Sequence, residues 1–185
     1  MNIAILSLWG VWDAIYFRCT RLQYVEKGSN IFRFVLLPYR GEPLDSNDGL
    51  RIERGDLILR LHIHNYYFAT LCKDIENDTK IILMLRRHIR DSLPQLAEMI
   101  ADHPRRDEIK GIVGTTMLHR GVEPLGFTTS FVPERWFFRY KRWYLRLMMM
   151  MIHPDGIRRI RRGEKDYSLK RVYMSRQELF DRYLS

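Results

Sequence analysis

The sequence has 185 residues, of which 46% are hydrophobic and 12% aromatic, and its formal net charge is +9. This composition can bury a core of ordinary size, which excludes intrinsic disorder and predicts one domain over residues 1–185. The two cysteines exclude a disulfide framework. The apolar run at residues 1–12 lacks the features of a secretory signal and is too short to span a membrane, so no transmembrane segment is expected and the cytoplasm is the default location.

The first segment of the chain repeats apolar residues at helical spacing, which predicts a helix packed against the core. The predicted buried stripe consists of Ile5, Leu8, Trp9, Trp12, Ile15, Tyr16, Cys19 and Leu22. The stretch 31–39 is rich in β-branched and aromatic residues and predicts a strand.

Two segments on either side of Arg54-Gly55-Asp56 predict a β-hairpin or a tight corner, residues 50–53 and residues 57–64. Side chains in the second segment alternate, so that Leu57, Leu59, Leu61 and Ile63 share one face of a strand. The opposite face, which we expect to be available for function, carries Ile58, Arg60, His62 and His64.

The rest of the chain mixes helices with strands. Helical patterns cover residues 66–75, 77–100, 117–124, 134–152 and a short segment that starts at Ser175, and strand patterns cover residues 109–116 and 126–132. This mixture predicts an α+β or α/β fold, a single domain with a mixed sheet of about four or five strands covered by helices.

Four motifs carry a family likeness: DGLRIERGDLILRLHIHN at residues 48–65, IKGIVGTTMLHRG at 109–121, HPDG at 153–156 and KRVYMS at 170–175. With these motifs the chain resembles the bacterial YkoP-like family over nearly its whole length. The resemblance implies cell-wall or other glycan work, because such domains occur alone or joined to polysaccharide deacetylases. It implies no catalytic residues, so every candidate site here comes from the residues themselves.

The positive charge is concentrated in residues 135–171, which alone carry a net charge of +9. On a helix, arginines spaced by four, three and four residues from Arg135 to Arg146 share one face. Guanidinium groups bind carboxylate, sulfate and phosphate, and exposed aromatic rings pack on sugars or bases. The residues predicted to bind a polyanion are Arg135, Trp136, Arg139, Arg142, Trp143, Arg146, Arg158, Arg159, Arg161 and Arg162.

This basic segment leads to our first hypothesis, a non-enzymatic binding module for anionic bacterial polysaccharide such as peptidoglycan or a sulfated or uronic-acid glycan. Nucleic acid is a less favoured partner, because the sequence has no recognisable RRM, zinc-finger or helix-turn-helix signature. Peripheral contact with an anionic membrane through Trp136 and Trp143 is a further alternative. A cell-wall role would favour association with the envelope, and the simplest alternative is a solvated basic face.

The competing hypothesis is a hydrolase of cell-wall metabolism. Two imidazoles two residues apart, His62 and His64, can share a metal ion or a substrate on one strand face. They form only half of a zinc site, so a third ligand would have to come from Asp56, His119 or His153, and no metal or other cofactor is assigned. Asp56 is alternatively the carboxylate that orients a catalytic histidine, and structural or surface histidines are the simpler interpretation.

The hydrolase hypothesis places the following residues in a polar cleft: Asp56, His62, His64, Asn65, Thr115, Thr116 and His119. Thr115 and Thr116 end a glycine-bearing strand, where hydroxyls and amides can hold a sugar hydroxyl or an anion, or else cap a helix. Cys72 is a candidate nucleophile in a permuted papain-like arrangement with His62, or else a buried residue that packs as a small hydrophobe.

Overall fold

A computed structural model describes residues 3–72, 75, 77–116, 121–132, 139, 143 and 169–184. Within these ranges the helices of two turns or more are α1 (Ile3–Cys19), α2 (Asn65–Cys72), α3 (Asp78–Ala101) and α4 (Arg176–Tyr183). The strands are β1 (Gln23–Tyr24), β2 (Phe32–Pro38), β3 (Leu44–Asp45), β4 (Arg51–Ile52), β5 (Leu57–Ile63), β6 (Ile109–Thr116), β7 (Thr128–Phe131) and β8 (Lys170–Ser175).

Six strands form one mixed sheet in the order β1-β2-β5-β6-β8-β7, and β3 and β4 form a second, two-stranded sheet. Neighbours in the large sheet run antiparallel except β5 and β6, which are parallel and are connected by α2 and α3. The α+β fold with a mixed sheet is therefore confirmed. The predicted hairpin at residues 50–64 is wrong, because β4 pairs with β3 while β5 pairs with β2 and β6. The alternative, a tight corner, is present at Gly55, whose φ is +105°.

One face of the large sheet packs against helices α2, α3 and α4. The long helix α3 begins at Asn77, whose side chain accepts a hydrogen bond from the Lys80 amide at 3.2 Å, and α4 begins at Ser175, whose hydroxyl accepts from the Glu178 amide at 2.9 Å. Apolar residues spaced three and four apart on α3 face the sheet. The fully buried side chains of this core include Leu59, Leu93, Leu96, Ile100, Ile112, Met174 and Leu179.

The opposite face of the large sheet is covered in part by the β3–β4 sheet. A second buried cluster forms there from Tyr39, Leu44, Ile52, Ile58, Val113 and Tyr173. Helix α1 approaches the same face near β2, where its Asp13 forms an ion pair with Arg33. No helix among the described residues is both long and apolar enough to cross a membrane.

Helix α1 presents a different face to the protein than its apolar stripe predicts. Trp9 is buried and Asp13 is half-buried, whereas Trp12, Ile15 and Cys19 of the predicted stripe are exposed. The ion pair between Asp13 and Arg33 gives the physical reason, since it fixes which side of the helix lies against the sheet. Part of the apolar stripe therefore remains accessible.

Gly111 lies where β6 passes close to β8 and β4. A methyl group on its Cα would overlap the carbonyl oxygen of Met174 and would lie 3.0 Å from Cδ1 of Ile52. We therefore expect Gly111→Ala to lower the free energy of unfolding by about 3 kcal/mol, as overpacking of a rigid interior does. Urea denaturation measures this change. Gly28→Ala is the control, because nothing lies within 4 Å of that position and only its φ of +95° resists a side chain. An equal loss in both variants would contradict the steric explanation.

Candidate anion-binding cleft

A cleft of about 790 Å³ opens on the sheet face that the β3–β4 sheet only partly covers. Strand side chains that point to this face form the floor of the cleft. Residues paired across neighbouring strands place their side chains on the same face. Arg33 is paired with His62, and Thr115 is paired with Arg171. The cleft also contacts apolar residues of the helix-covered face, including Leu61 and Ile89. One wall is α1, through Trp12 and Tyr16 among others.

Positive charge dominates the described residues that line this cleft. Five arginines line it, Arg33, Arg40, Arg54, Arg60 and Arg171, against two carboxylates, Asp13 and Glu42. In the part of the chain that the structure describes, no carboxylate lies within 4.0 Å of the Arg40, Arg60 or Arg171 guanidinium. The cleft therefore carries an excess of three positive charges in this part of the chain.

Arg33 differs from the other cleft arginines because it is buried against a carboxylate. Only 3% of its side chain is exposed, and its two terminal nitrogens lie 2.9 and 2.5 Å from the two carboxylate oxygens of Asp13. Its Nη2 also donates to the Tyr24 hydroxyl at 2.7 Å, and its guanidinium lies 5.1 Å from the Phe17 ring centroid. This bidentate pair joins α1 to β2.

His64 completes this buried network. Its Nε2 lies 2.5 Å from Nη2 of Arg33 and 3.3 Å from Oδ2 of Asp13. Neutral His64 with its proton on Nδ1 accepts from Arg33, whereas protonated His64 donates to Asp13. Burial raises the pKa of Asp13, but the hydrogen bonds of its carboxylate with His64 and Arg33 and their positive charge outweigh burial and hold the pKa below its ordinary value.

Arg171 lies in the floor of the cleft, where only 7% of its surface is exposed. Its guanidinium stands 5.6 Å from the ring centroid of Tyr39, a cation–π contact. The Tyr39 hydroxyl donates to the carbonyl oxygen of Glu42 at 2.6 Å, which fixes the ring. Burial raises the pKa of Tyr39, and the nearby Arg171 charge opposes this increase. The ring thus remains a neutral partner for the guanidinium.

Arg60 projects from β5 into the same space between α1 and Tyr39. The surrounding protein lowers the pKa of Arg60, and the positive charges of Arg171 and Arg40 lower it further, while Tyr16 and Tyr39 oppose the effect. The side chain still reaches solvent through the open cleft. Positive charges from the β2–β3 loop and from β8 therefore act on the Arg60 guanidinium, and all three arginines line the same cleft.

Comparison with known proteins assigns the family. The YkoP domain family matches residues 2–183. The chain belongs to the YkoP family. It is 34% identical over 128 residues to the uncharacterized protein YkoP of Bacillus subtilis (strain 168), a match that covers 69% of this chain and 70% of the relative. No solved structure matches the chain. The resemblance seen in the sequence is thereby confirmed.

In this YkoP domain, four of the residues predicted for a polar cleft line the cleft. They are His62, Asn65, Thr115 and Thr116. His64 lies beside them but points its Nε2 into the Arg33–Asp13 pair. His119, the remaining histidine of that prediction, lies outside the described residues, as does His153.

Asp56 forms no hydrogen bond or ion pair with a histidine in the part of the YkoP domain that the structure describes. Its Oδ2 accepts a hydrogen bond from the Glu53 amide at 2.7 Å and so closes the turn before β5. His62 lies near the other end of the same strand, about 20 Å away at the rise of an extended chain. The carboxylate that contacts a histidine is instead Asp13, at 3.3 Å from His64. Among the described side chains, no three from His, Cys, Asp and Glu come together as metal ligands.

Cys72 lies in the helix-covered core and not at the cleft. It is fully buried, and burial raises the pKa of its thiol to about 12, so the predicted nucleophile is wrong and the buried alternative holds. We expect a thiol reagent at neutral pH to modify the exposed Cys19 and to spare Cys72 in the folded protein. Mass spectrometry of peptides before and after unfolding measures this difference. Equal rates for the two thiols in the folded state would contradict it.

Most of the predicted polyanion-binding segment lies outside the described residues. This holds for Arg135, Trp136, Arg142, Arg146, Arg158, Arg159, Arg161 and Arg162. Arg139 and Trp143 are described, and both are exposed. Binding by this segment stays a prediction.

The arginines of the cleft are not among the site residues predicted from the sequence. The sequence does indicate that Arg60 is available for function, because the alternation of β5 places it on the same face as His62. Arg171 was counted only within the basic segment. Nothing in the local sequence distinguishes Arg33 or Arg40 from surface arginines.

Proposed function

We propose that this protein binds an anionic bacterial glycan in the cleft, as a binding module without catalytic activity. The observation that supports the proposal is the excess of guanidinium charge formed by Arg40, Arg60 and Arg171. Guanidiniums that have no carboxylate partner among the described residues attract anionic groups strongly inside a concave site, because the surrounding protein weakens solvent screening.

The aromatic residues of the cleft support a sugar as the carrier of the anion. Trp12 is 50% exposed and lines the cleft together with the half-buried Tyr16. Flat aromatic surfaces pack on the apolar faces of sugar rings. Arginine and aromatic side chains thus provide the two kinds of contact that an anionic glycan needs.

The size of the cleft is suited to a short piece of polymer. A volume of about 790 Å³ falls within the range of small-ligand sites, roughly 300–1,000 Å³. Contacts along a longer chain would come from the basic segment 135–162, whose composition favours the same class of partner. Peptidoglycan and sulfated or uronic-acid glycans are the candidate polymers, and association with the cell envelope would follow.

A hydrolase remains the second candidate, because His62 lies in the same cleft as the arginines. In this alternative His62 acts as the general base without Asp56, and Thr115 or Thr116 contacts the substrate.

Sedimentation of the purified protein with insoluble peptidoglycan, chitin or immobilised heparin, and with random DNA as competitor, tests the proposal at low and high salt. We expect retention on the anionic polymers at low salt, weak retention on neutral chitin, and release at high salt, because charge pairing is screened. Retention that does not depend on salt, or DNA that binds better than every glycan, would contradict it. Soluble products that disappear in His62→Ala would favour the hydrolase.

A further inference from the structure

We propose that the group held by the cleft is a tetrahedral oxyanion ester, a phosphate or sulfate on the glycan, with Arg171 as its central ligand. This inference rests on the proposed function and specifies which anion the cleft selects. It excludes a uronic-acid carboxylate as the preferred group.

Arg171 is buried in the cleft. Its guanidinium lies in the floor of the cleft at 7% exposure, and its contact with Tyr39 supplies a neutral aromatic face and no negative charge. No described carboxylate lies within 4.0 Å of it. Because the described residues give this buried cation no counter-charge, an anion bound at this position would supply one.

Three guanidiniums from different parts of the chain contribute to the cleft. Arg40 comes from the β2–β3 loop, Arg60 from β5 and Arg171 from β8, so they approach from separate elements of the fold. A carboxylate has two oxygens in one plane, and one arginine satisfies both of them in a bidentate pair. A tetrahedral ester presents terminal oxygens in three directions, which matches three separate guanidiniums.

The Arg33–Asp13 pair differs from the arrangement of the other cleft arginines. Arg33 shows how this protein holds a carboxylate, with one guanidinium aligned on both oxygens of Asp13. The three remaining arginines form a different arrangement, in which like charges lie close enough for Arg40 and Arg171 to lower the pKa of Arg60. One monovalent carboxylate would leave most of this repulsion in place. A phosphate dianion would offset more of it.

A hydroxyl group stands beside the central arginine. Thr115 is the cross-strand partner of Arg171, and its side chain lines the cleft. A hydroxyl donor next to a guanidinium adds a hydrogen bond to a further oxygen of the ester. We therefore assign Arg40, Arg60, Thr115 and Arg171 to one oxyanion site.

Calorimetric titration of the intact protein at constant ionic strength tests this assignment with inorganic phosphate, sulfate and acetate as probes. We expect phosphate and sulfate to bind at least about ten-fold more tightly than acetate. Titrations with glucose 6-phosphate, glucose 6-sulfate and glucuronic acid then compare the affinities for the same three groups when each is carried by a sugar. The ratio of phosphate to sulfate affinity distinguishes the two esters.

Variants connect this binding to the site. We expect Arg171→Lys, which keeps the charge but loses the planar fork, and Arg60→Gln each to weaken phosphate binding at least about ten-fold. Arg60→Gln alone decides the question if Arg171→Lys does not fold, because Arg60 is the more exposed of the two. Arg87→Gln on α3 is the matched control and should bind as the parent does, because the Arg87 side chain is 76% exposed and does not line the cleft.

The outcomes separate this inference from the proposed function. Acetate and glucuronate that bind as tightly as the phosphate probes would overturn the oxyanion assignment while glycan binding stands. Phosphate binding that Arg60→Gln leaves unchanged would overturn it as well, since the ion would then bind elsewhere. Failure of every anion and every glycan to bind would overturn both.

Discussion

Replacement of Asp13 by asparagine is expected to lower the free energy of unfolding by about 3–5 kcal/mol, the cost of removing one partner of a buried ion pair. Asparagine has nearly the same shape but leaves the Arg33 guanidinium without a counter-charge at 3% exposure. Chemical denaturation at neutral pH measures the loss. Asp91→Asn is the control, because Asp91 pairs with Arg87 and Arg90 at the surface, where such pairs contribute about 0–1 kcal/mol.

The pH dependence of stability gives an independent measurement of the same pair. The pKa of Asp13 lies below its ordinary value of 3.8 in the folded protein, so its contribution is complete above that pH and is lost as the pH falls through the folded-state pKa. Asp13→Asn should remove this part of the acid dependence. A double variant, Asp13→Asn with Arg33→Leu, should recover part of the stability, since no buried charge then remains unpaired. Identical acid profiles for parent and Asp13→Asn would show that the pair contributes little.

Reversal of the charge at Arg60 is expected to have the largest effect on glycan binding. Arg60→Glu places a carboxylate between Arg40 and Arg171, where it pairs with them and repels an incoming anion. We expect the affinity for an anionic glycan at low salt to fall about thirty-fold or more, and the remaining binding to depend less on salt. Titration against a soluble glycan fragment at two salt concentrations measures both changes.

Arg51→Glu is the matched control for this reversal. Arg51 lies on β4, its side chain is 56% exposed, and it does not line the cleft. Arg51→Glu changes the net charge of the protein by the same amount as Arg60→Glu. A similar loss of affinity in both variants would indicate diffuse attraction to a basic protein and would contradict a cleft site.

The alternation of β5 shows how much of the site the sequence can predict. Strand periodicity correctly separates Leu59 and Leu61, which are buried in the helix-covered core, from Arg60 and His62, which line the cleft. Ile58 belongs to the same face as Arg60 but is fully buried beneath the β3–β4 sheet. Periodicity predicts which residues share a face. It cannot predict where another element covers that face.

The network around Arg33 could not be predicted, for a different reason. Asp13 and Arg33 are 20 residues apart and lie on a helix and a strand, and their contact depends on the side of α1 that packs against the sheet. The apolar stripe of α1 predicts this side only in part, since Trp9 is buried but Trp12 and Ile15 remain exposed. A buried ion pair overrides apolar periodicity when the helix is apolar on most of its surface.

The convergence of Arg40, Arg60 and Arg171 is a property of strand order. Arg171 and Arg60 line the same cleft because β8 lies next to β6, and β6 lies next to β5. Local propensity gives the extent of each strand but no information on its neighbours. The region that matches the YkoP family includes every residue of the cleft, but the match assigns no function to any of them.

The position of β8 also determines when the protein can acquire its cleft during synthesis. β7 precedes β8 in the chain but pairs with it at the sheet edge, and β6 pairs with β8 along Gly111 to Thr116. A nascent chain that ends before residue 170 therefore exposes two strand edges that lack their common partner. It also lacks Arg171 of the cleft and the buried Met174 of the core. The cleft would consequently be complete only after β8 has emerged from the exit tunnel.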